Sequence, residues 1–365
     1  MRRRDLLVMS ALCALPALPR ASSAQPTPSF ASVTPRPLVF PRDHGAHPDY
    51  RTEWWYLTGW LDAPNGPLGF QVTFFRVATG IDAGASRFAP RQLIIAHAAI
   101  ADPARGALLH DERVQRMGFG LVEAALEDTD VRLDRWRLWR DAGAGRFGTY
   151  RCTLPARSFD LAFSAEMQQP LLLQGRDGFS QKGPRPEQAS HYYTQPQLAV
   201  HATLRREGAV AVEASGTAWL DHEWSSSVLD EAASGWDWIG MNLDDGAALT
   251  AFQIRPRQGT QPIHTYASLR DAAGTTTLYG GADVAFEPAT TWRSPRTGAS
   301  YAVAQRIRVG TRRFETRPLM NDQELDSRAT TGAVYWEGAS ELLEAGRRVG
   351  RGYLEMTGVV APMRL

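Results

Sequence analysis

Two stretches decide the fold: Trp54-Trp55-Tyr56-Leu57-Thr58-Gly59-Trp60-Leu61-Asp62 with Phe70-Gln71-Val72, and Trp236-Asp237-Trp238-Ile239 with Leu243-Asp244 and Phe252-Gln253-Ile254. A shift of 182 residues without gaps lays the second on the first, with five identities in 19 positions, where about one is expected by chance. Each copy reads as a strand, an Asp-headed turn holding Gly66 or Gly246, and a returning strand, which is a β-hairpin. The ends echo each other too, Trp219-Leu220-Asp221 against Tyr353-Leu354-Glu355.

Outward from these hairpins the apolar pattern keeps period two. Leu68-Gly-Phe-Gln-Val-Thr-Phe-Phe75, Gln92-Leu-Ile-Ile-Ala-His-Ala-Ala-Ile100, Ser158-Phe-Asp-Leu-Ala-Phe163 and Val210-Ala-Val-Glu-Ala214 alternate or run apolar for strand lengths, with Gly, Pro and Asp-Gly turns between them. The chain therefore reads as all-β, with helix expected only in short pieces such as Ser226 to Ala233. The repeat predicts two consecutive β domains of barrel or sandwich size, 45–230 and 231–365, after an extended Pro- and Ser-rich leader, 25–44.

The first 24 residues follow other rules. Arg2-Arg3-Arg4-Asp5-Leu6-Leu7 is a basic start with twin-arginine character, Leu6 to Leu18 is apolar but too short to span a bilayer, and Ser22-Ser23-Ala24 suits a cleavage site. This predicts an exported protein of the periplasm or exterior, with no transmembrane segment in the mature chain. Removing the signal leaves Cys152 as the single cysteine, so no intrachain disulfide is expected.

With 43% hydrophobic and 22% charged residues the chain is ordinary globular material, neither disordered nor fibrous. A net charge of +1 gives no electrostatic reason to expect nucleic acid as a partner. Only one of the 40 basic residues, Lys182, is a lysine. No Walker or dinucleotide glycine pattern precedes a helix, so no cofactor is expected. His44, His47, Asp49, His97 and His222 show no recognised ligand spacing, and no metal is expected. Ser225, Ser226 and Ser227 follow His222 but form no nucleophile elbow.

Chemistry concentrates around tryptophan. Of 11 Trp, seven fall in two windows, Trp54, Trp55 and Trp60, then Trp219, Trp224, Trp236 and Trp238, among Glu53, Asp221, His222, Glu223 and Asp237. The structural reading has the indoles filling barrel ends and the acids capping turns or pairing with Arg51 and Arg76. The functional reading has indoles lining a site for an apolar or cationic species, where a carboxylic acid walled in by rings has a raised pKa.

The blocks Thr52-Glu53-Trp54-Trp55-Tyr56-Leu57-Thr58-Gly59, Gly69-Phe70-Gln71-Val72-Thr73-Phe74-Phe75-Arg76, Ala96-His97-Ala98-Ala99, Gly216-Thr217-Ala218-Trp219-Leu220-Asp221-His222-Glu223-Trp224 and Gly235-Trp236-Asp237-Trp238 resemble the signature of the secreted lipocalin-like family that contains the carotenoid 1,2-hydratases and the AttH proteins. Tyr335-Trp336-Glu337-Gly338 and Gly352-Tyr353-Leu354-Glu355-Met356-Thr357-Gly358 match as well. The resemblance implies two lipocalin-like antiparallel β-barrels and an apolar small-molecule partner: an isoprenoid, a carotenoid or a lipid. It also implies cofactor-independent hydration of a C=C bond, with His222 and Trp224 matching the hydratases' His-x-Trp. The acid of that pattern, an Asp on the following strand, has no counterpart in Thr250-Ala251-Phe252-Gln253-Ile254, and Asp237 is the nearest carboxylate.

The expected catalytic set is thus Asp237 as acid, Trp224 or Trp236 steadying the cation, His222 as base, and Glu53 in reserve. The expected ligand-binding set is Trp54, Trp55, Tyr56, Gln71, Trp236 and Trp238. Two alternatives stay open: a non-catalytic ligand-binding or scaffold protein of the envelope, and a secreted hydrolase of unknown substrate.

Overall fold

The computed structural model describes residues 30–81 and 86–363; the expected export signal lies outside the described residues. From Thr52 to Met356 the described chain is almost wholly strand and turn, as the alternation predicts. Two antiparallel sheets form. The first, of 13 strands between Thr52 and Ser225, rolls into a nearly closed barrel. The second, of 10 strands between Ala233 and Met356, forms a half-barrel whose edge strands, Thr276–Gly280 and Val284–Arg293, do not pair with each other. Residues 226–232, where a short helix is expected, form an irregular link.

The repeat is real and its register is informative. Strand Thr52–Ala63 sits between its hairpin partner Gly66–Ala78 and the last strand of its sheet, Val212–Ser225. Strand Ala233–Leu243 sits in the same way between Ala248–Pro256 and Arg347–Met356. Tyr56 pairs with Asp221, and Trp238 pairs with Glu355, so Leu61 and Leu243 lie on equivalent strands and the Trp219/Tyr353 echo is positional. The returning strands differ: Tyr56 faces Thr73, whereas Trp238 faces Phe252. The second hairpin turns three residues sooner, and the ungapped match of Phe70 to Phe252 is not a match of place.

Side-chain parity then assigns each residue to a face. Trp55, Leu57 and Leu61, with Phe70, Val72, Leu220 and Trp224, point into the first barrel and fill it. Ile239, Met241, Trp336 and Leu354 fill the half-barrel. The opposite faces of the same strands carry Tyr56, Trp60, Trp219, Trp238 and Tyr353, which pack together as a third core where the two sheets meet. Truncating a buried Trp in such a core typically costs about 3–5 kcal/mol, so this seam is a principal element of the fold. Gly69 permits the close approach: a Cβ there would lie 2.5 Å from the Ala339 Cβ of the other sheet. Two hydrogen bonds cross the seam at equivalent places, Trp60 Nε1 to the Gly352 carbonyl at 2.9 Å and Asn242 Nδ2 to the Ala218 carbonyl at 3.0 Å.

The segment expected as an extended leader does more than trail. Its later residues turn at Arg42–His44 and bury Asp43 and His44 against the first barrel. Cys152 is buried in that barrel's core.

Candidate functional site

At the seam the two sheets do not close completely, and a cavity of about 410 Å³ remains between them. Its walls come from both sheets: Trp54 and Tyr56 from the first, Trp236, Trp238, Phe252 and Ile254 from the second. Trp54 and Trp236 are half-buried, whereas Tyr56 and Trp238 are buried and meet edge to face with centroids 5.4 Å apart. Four of the six expected ligand-binding residues, Trp54, Tyr56, Trp236 and Trp238, therefore line one space. The other two do not: Trp55 is turned into the barrel, and Gln71 is buried with its amide bonded to Thr73.

Five acidic residues border this aromatic cleft, Glu53, Asp221, Glu223, Glu337 and Glu355; Glu53 turns its carboxylate to His47, His222 and Arg76, which leaves four carboxyl groups for the cleft. Burial pushes Asp221 up to about 7, against hydrogen bonds with Thr194, Tyr192 and Trp219 that act to lower it. Those contacts measure 2.6 Å from Thr194 Oγ1 and 2.9 Å from Trp219 Nε1, both to Oδ1, and 2.7 Å between Tyr192 Oη and Oδ2. Burial likewise pushes Glu355 up to about 8. Glu337 and Glu355 are direct cross-strand neighbours, so burial and then each other's charge hold Glu337 well above the carboxylate range. Tyr56, from the first sheet, donates to Glu337 Oε2 at 2.6 Å, and Trp238, from the second, donates to Tyr192 Oη at 3.2 Å. These links tie the acids to both walls.

Glu223 stands apart from the other three because it has a cation: Lys182 Nζ lies 3.0 Å from its Oε1, with both side chains buried. The ammonium also sits over the rings of Tyr192 and Phe252, at 4.5 and 4.2 Å.

The expected catalytic residues occupy other faces. Asp237 alternates with Trp236 and Trp238 and so points away from the cleft, where Gln253 Nε2 and Arg255 Nε hold it at 2.7 and 3.1 Å. His222 alternates with Asp221 and Glu223 and points into the first barrel, where it meets Glu53. There Glu53 accepts four hydrogen bonds: His47 Nδ1 at 2.7 Å and His222 Nε2 at 2.9 Å on Oε1, Arg76 Nε at 2.7 Å and the His47 amide at 2.9 Å on Oε2. Burial would raise this carboxyl, but the His222 and His47 hydrogen bonds together outweigh it and hold Glu53 far below the usual range. Burial lowers His222 to about 4.

Trp224 stacks on His47 at 3.7 Å between centroids, and Trp55 on His222 at 4.6 Å. His47 Nε2 reaches Asp43 at 2.9 Å, and Arg36 pairs with the same carboxylate. His47, Glu53 and His222 bring three ligand-type atoms within 4.8 Å of one another. Their spacing is that of hydrogen bonds and every lone pair of Glu53 is used, so the cluster is a closed clasp under the indoles. Sequence reasoning thus joined residues that parity separates. It missed Glu337, Glu355 and Lys182 as parts of the cleft, because nothing local signals which faces of two sheets will meet.

Comparison with known proteins gives the family. The AttH-like family profile matches residues 31–359. A crystal structure of a protein assigned as AttH from Nitrosomonas europaea superposes with a TM-score of 0.84 at 51% identity, covering 90% of this chain and 100% of that one. Kievitone hydratase from Nectria haematococca shares the fold, with a TM-score of 0.66 at 13% identity over 91% of this chain and 96% of its own. None of the curated proteins matches. The chain belongs to the AttH-like family.

Proposed function

For this AttH-like chain we propose that the seam cleft binds an elongated apolar molecule of isoprenoid type and adds water across one of its C=C bonds by acid catalysis. The observation that carries the reading is Asp221, a carboxyl pushed up to about 7 in a cavity walled by Trp54, Tyr56, Trp236 and Trp238. Protonating an alkene needs a neutral acid, and an acid whose pKa lies near the working pH can also be reloaded. The cation so formed is tertiary in a branched isoprenoid, and the π faces of the indoles stabilise it by about 0.5–2 kcal/mol per contact. Water then attacks, and a base must take its proton. Glu223, two residues along the same strand and on the same face as Asp221, is placed for that role. An acid and a base set apart by their surroundings in one cleft is the pattern expected of acid–base catalysis. The distant fold likeness to a hydratase agrees with it.

His222 and Glu53 support this chemistry only from behind, by fixing the strand that carries Asp221 and Glu223. The signal-like pattern of residues 1–24 supports a periplasmic or extracellular location as part of this proposal, and N-terminal sequencing of the mature protein tests it.

The test is incubation with lycopene, neurosporene and farnesene without added cofactor, with mass spectrometry for the gain of one water. Product formed by the native protein and lost in Asp221→Asn supports the reading. Binding of these ligands by tryptophan quenching with no product from any of them leaves a carrier site and overturns the hydratase assignment.

A further inference from the structure

Lys182 is the only lysine in a chain whose other 39 basic residues are arginine, and it is neither exposed nor remote: it is 5% exposed and lines the seam cleft. We infer that Lys182 and Glu223 form a polar anchor in this cleft, and that the ligand they hold carries a hydroxyl group on an otherwise apolar body. This deepens the reading of the cleft as a ligand site and rests on it.

Three features lead there. First, the contact between Lys182 and Glu223 is close, at 3.0 Å, yet Glu223 Oε1 has no aligned hydrogen-bond donor among the described residues. A buried carboxylate oxygen without a donor is costly, and this one lies at the wall of an open space. Second, an ammonium carries three N–H groups, and the described partners of Lys182 Nζ are Glu223 and the two ring faces of Tyr192 and Phe252. The site therefore offers donors and an acceptor side by side. Third, the charge is already balanced within the pair, while burial holds Asp221, Glu337 and Glu355 toward their neutral forms.

These features select among ligands. A carboxylate or phosphate would meet Glu223 at close range, and a hydrocarbon would leave both the ammonium and the carboxylate unsatisfied. A hydroxyl satisfies both at once, accepting from Lys182 and donating to Glu223 Oε1. Arginine, with its rigid planar fork, does not fit a single oxygen in this way, whereas a compact ammonium does.

The experiment compares two ligands of one skeleton, farnesol and farnesene, by quenching of tryptophan fluorescence read on rapid mixing, before either is turned over. It uses the native protein, Lys182→Met and Glu223→Gln, with circular dichroism and thermal melts to establish that each variant is folded. Farnesol is expected to bind the native protein at least tenfold more tightly than farnesene. The preference should fall to within about twofold in Lys182→Met, with farnesene affinity kept in that variant, and should weaken in Glu223→Gln, whose neutral amide oxygen is a poorer acceptor than a carboxylate. Equal affinity of the native protein for both ligands overturns the anchor and leaves the cleft as an apolar site. A preference that survives in folded Lys182→Met also overturns it. Failure of both ligands to bind the native protein overturns the cleft reading and the anchor together.

Discussion

Replacing Glu53 by glutamine separates a structural clasp from a catalytic acid. The native carboxylate accepts four hydrogen bonds, two on each oxygen, and lies between Arg76 and His47 with no solvent contact. Glutamine keeps the volume but turns one oxygen into a donor that faces two other donors. Losing two hydrogen bonds to charged groups costs roughly 1.5–3 kcal/mol each. Breaking a buried ion pair by removing one partner costs about 3–5 kcal/mol. The two routes agree on a loss of about 3–5 kcal/mol, read by urea unfolding with Trp55 and Trp224, which stack on the cluster, as reporters.

The pH dependence fixes the sign. A carboxyl held below its ordinary 4.5 in the folded state contributes stability that is present above that pH and lost as pH falls through and below it. The gap between native protein and Glu53→Gln should therefore be full at pH 7 and shrink below about pH 4.5. A variant as stable as the native protein at pH 7 but unable to turn over substrate would refute this reasoning and restore Glu53 as an acid.

Asp221→Asn should retain ligand affinity and lose at least about a hundredfold in turnover, the scale of general acid catalysis, because an amide can occupy the place of the neutral acid without giving up a proton. The same variant should gain stability relative to the native protein as pH rises from about 4 to 7, because the native Asp221, raised from 3.8 to about 7, is penalised once its unfolded counterpart ionises. Melts across that range check the direction, and turnover should fall above pH 7 as Asp221 loses its proton. Gly69→Ala, which places a methyl 2.5 Å from Ala339 Cβ, should cost about 1–3 kcal/mol by overpacking. A thermal melt of that variant matching the native one would show that the seam can yield there.

Much of the fold was legible because strand parity and a repeat are both local signals. Trp54, Tyr56 and Trp60 on one face and Trp55 and Leu57 on the other follow from alternation alone. So does the separation of Asp237 from its two indole neighbours, and of His222 from Asp221 and Glu223. Strict alternation alone therefore separates Asp237 from His222 and its neighbours. What no local pattern carries is the docking of one sheet on the other, which brings Glu337 to Tyr56 across 281 positions of sequence. The openness of the second sheet was equally illegible, since nothing in a short edge strand such as Thr276–Gly280 says whether a second neighbour arrives. The clasp also draws on Asp43, at the end of a Pro-rich leader whose lack of periodicity hides its docked place, and on His47 just beyond it.

The paired bonds across the seam have a further consequence. Exchange the two halves of the repeat, and Trp60 takes the place of Asn242 while Gly352 takes that of Ala218, so one hydrogen bond becomes the other. That is the signature of an isologous interface, here built within a single polypeptide: each half presents to the other the surface the other presents to it. The link over residues 226–232 then acts chiefly as a tether that raises the effective concentration of two self-complementary faces. Fragments cut within it should reassociate, and neither alone should quench with an apolar ligand, since the cavity exists only where both faces meet.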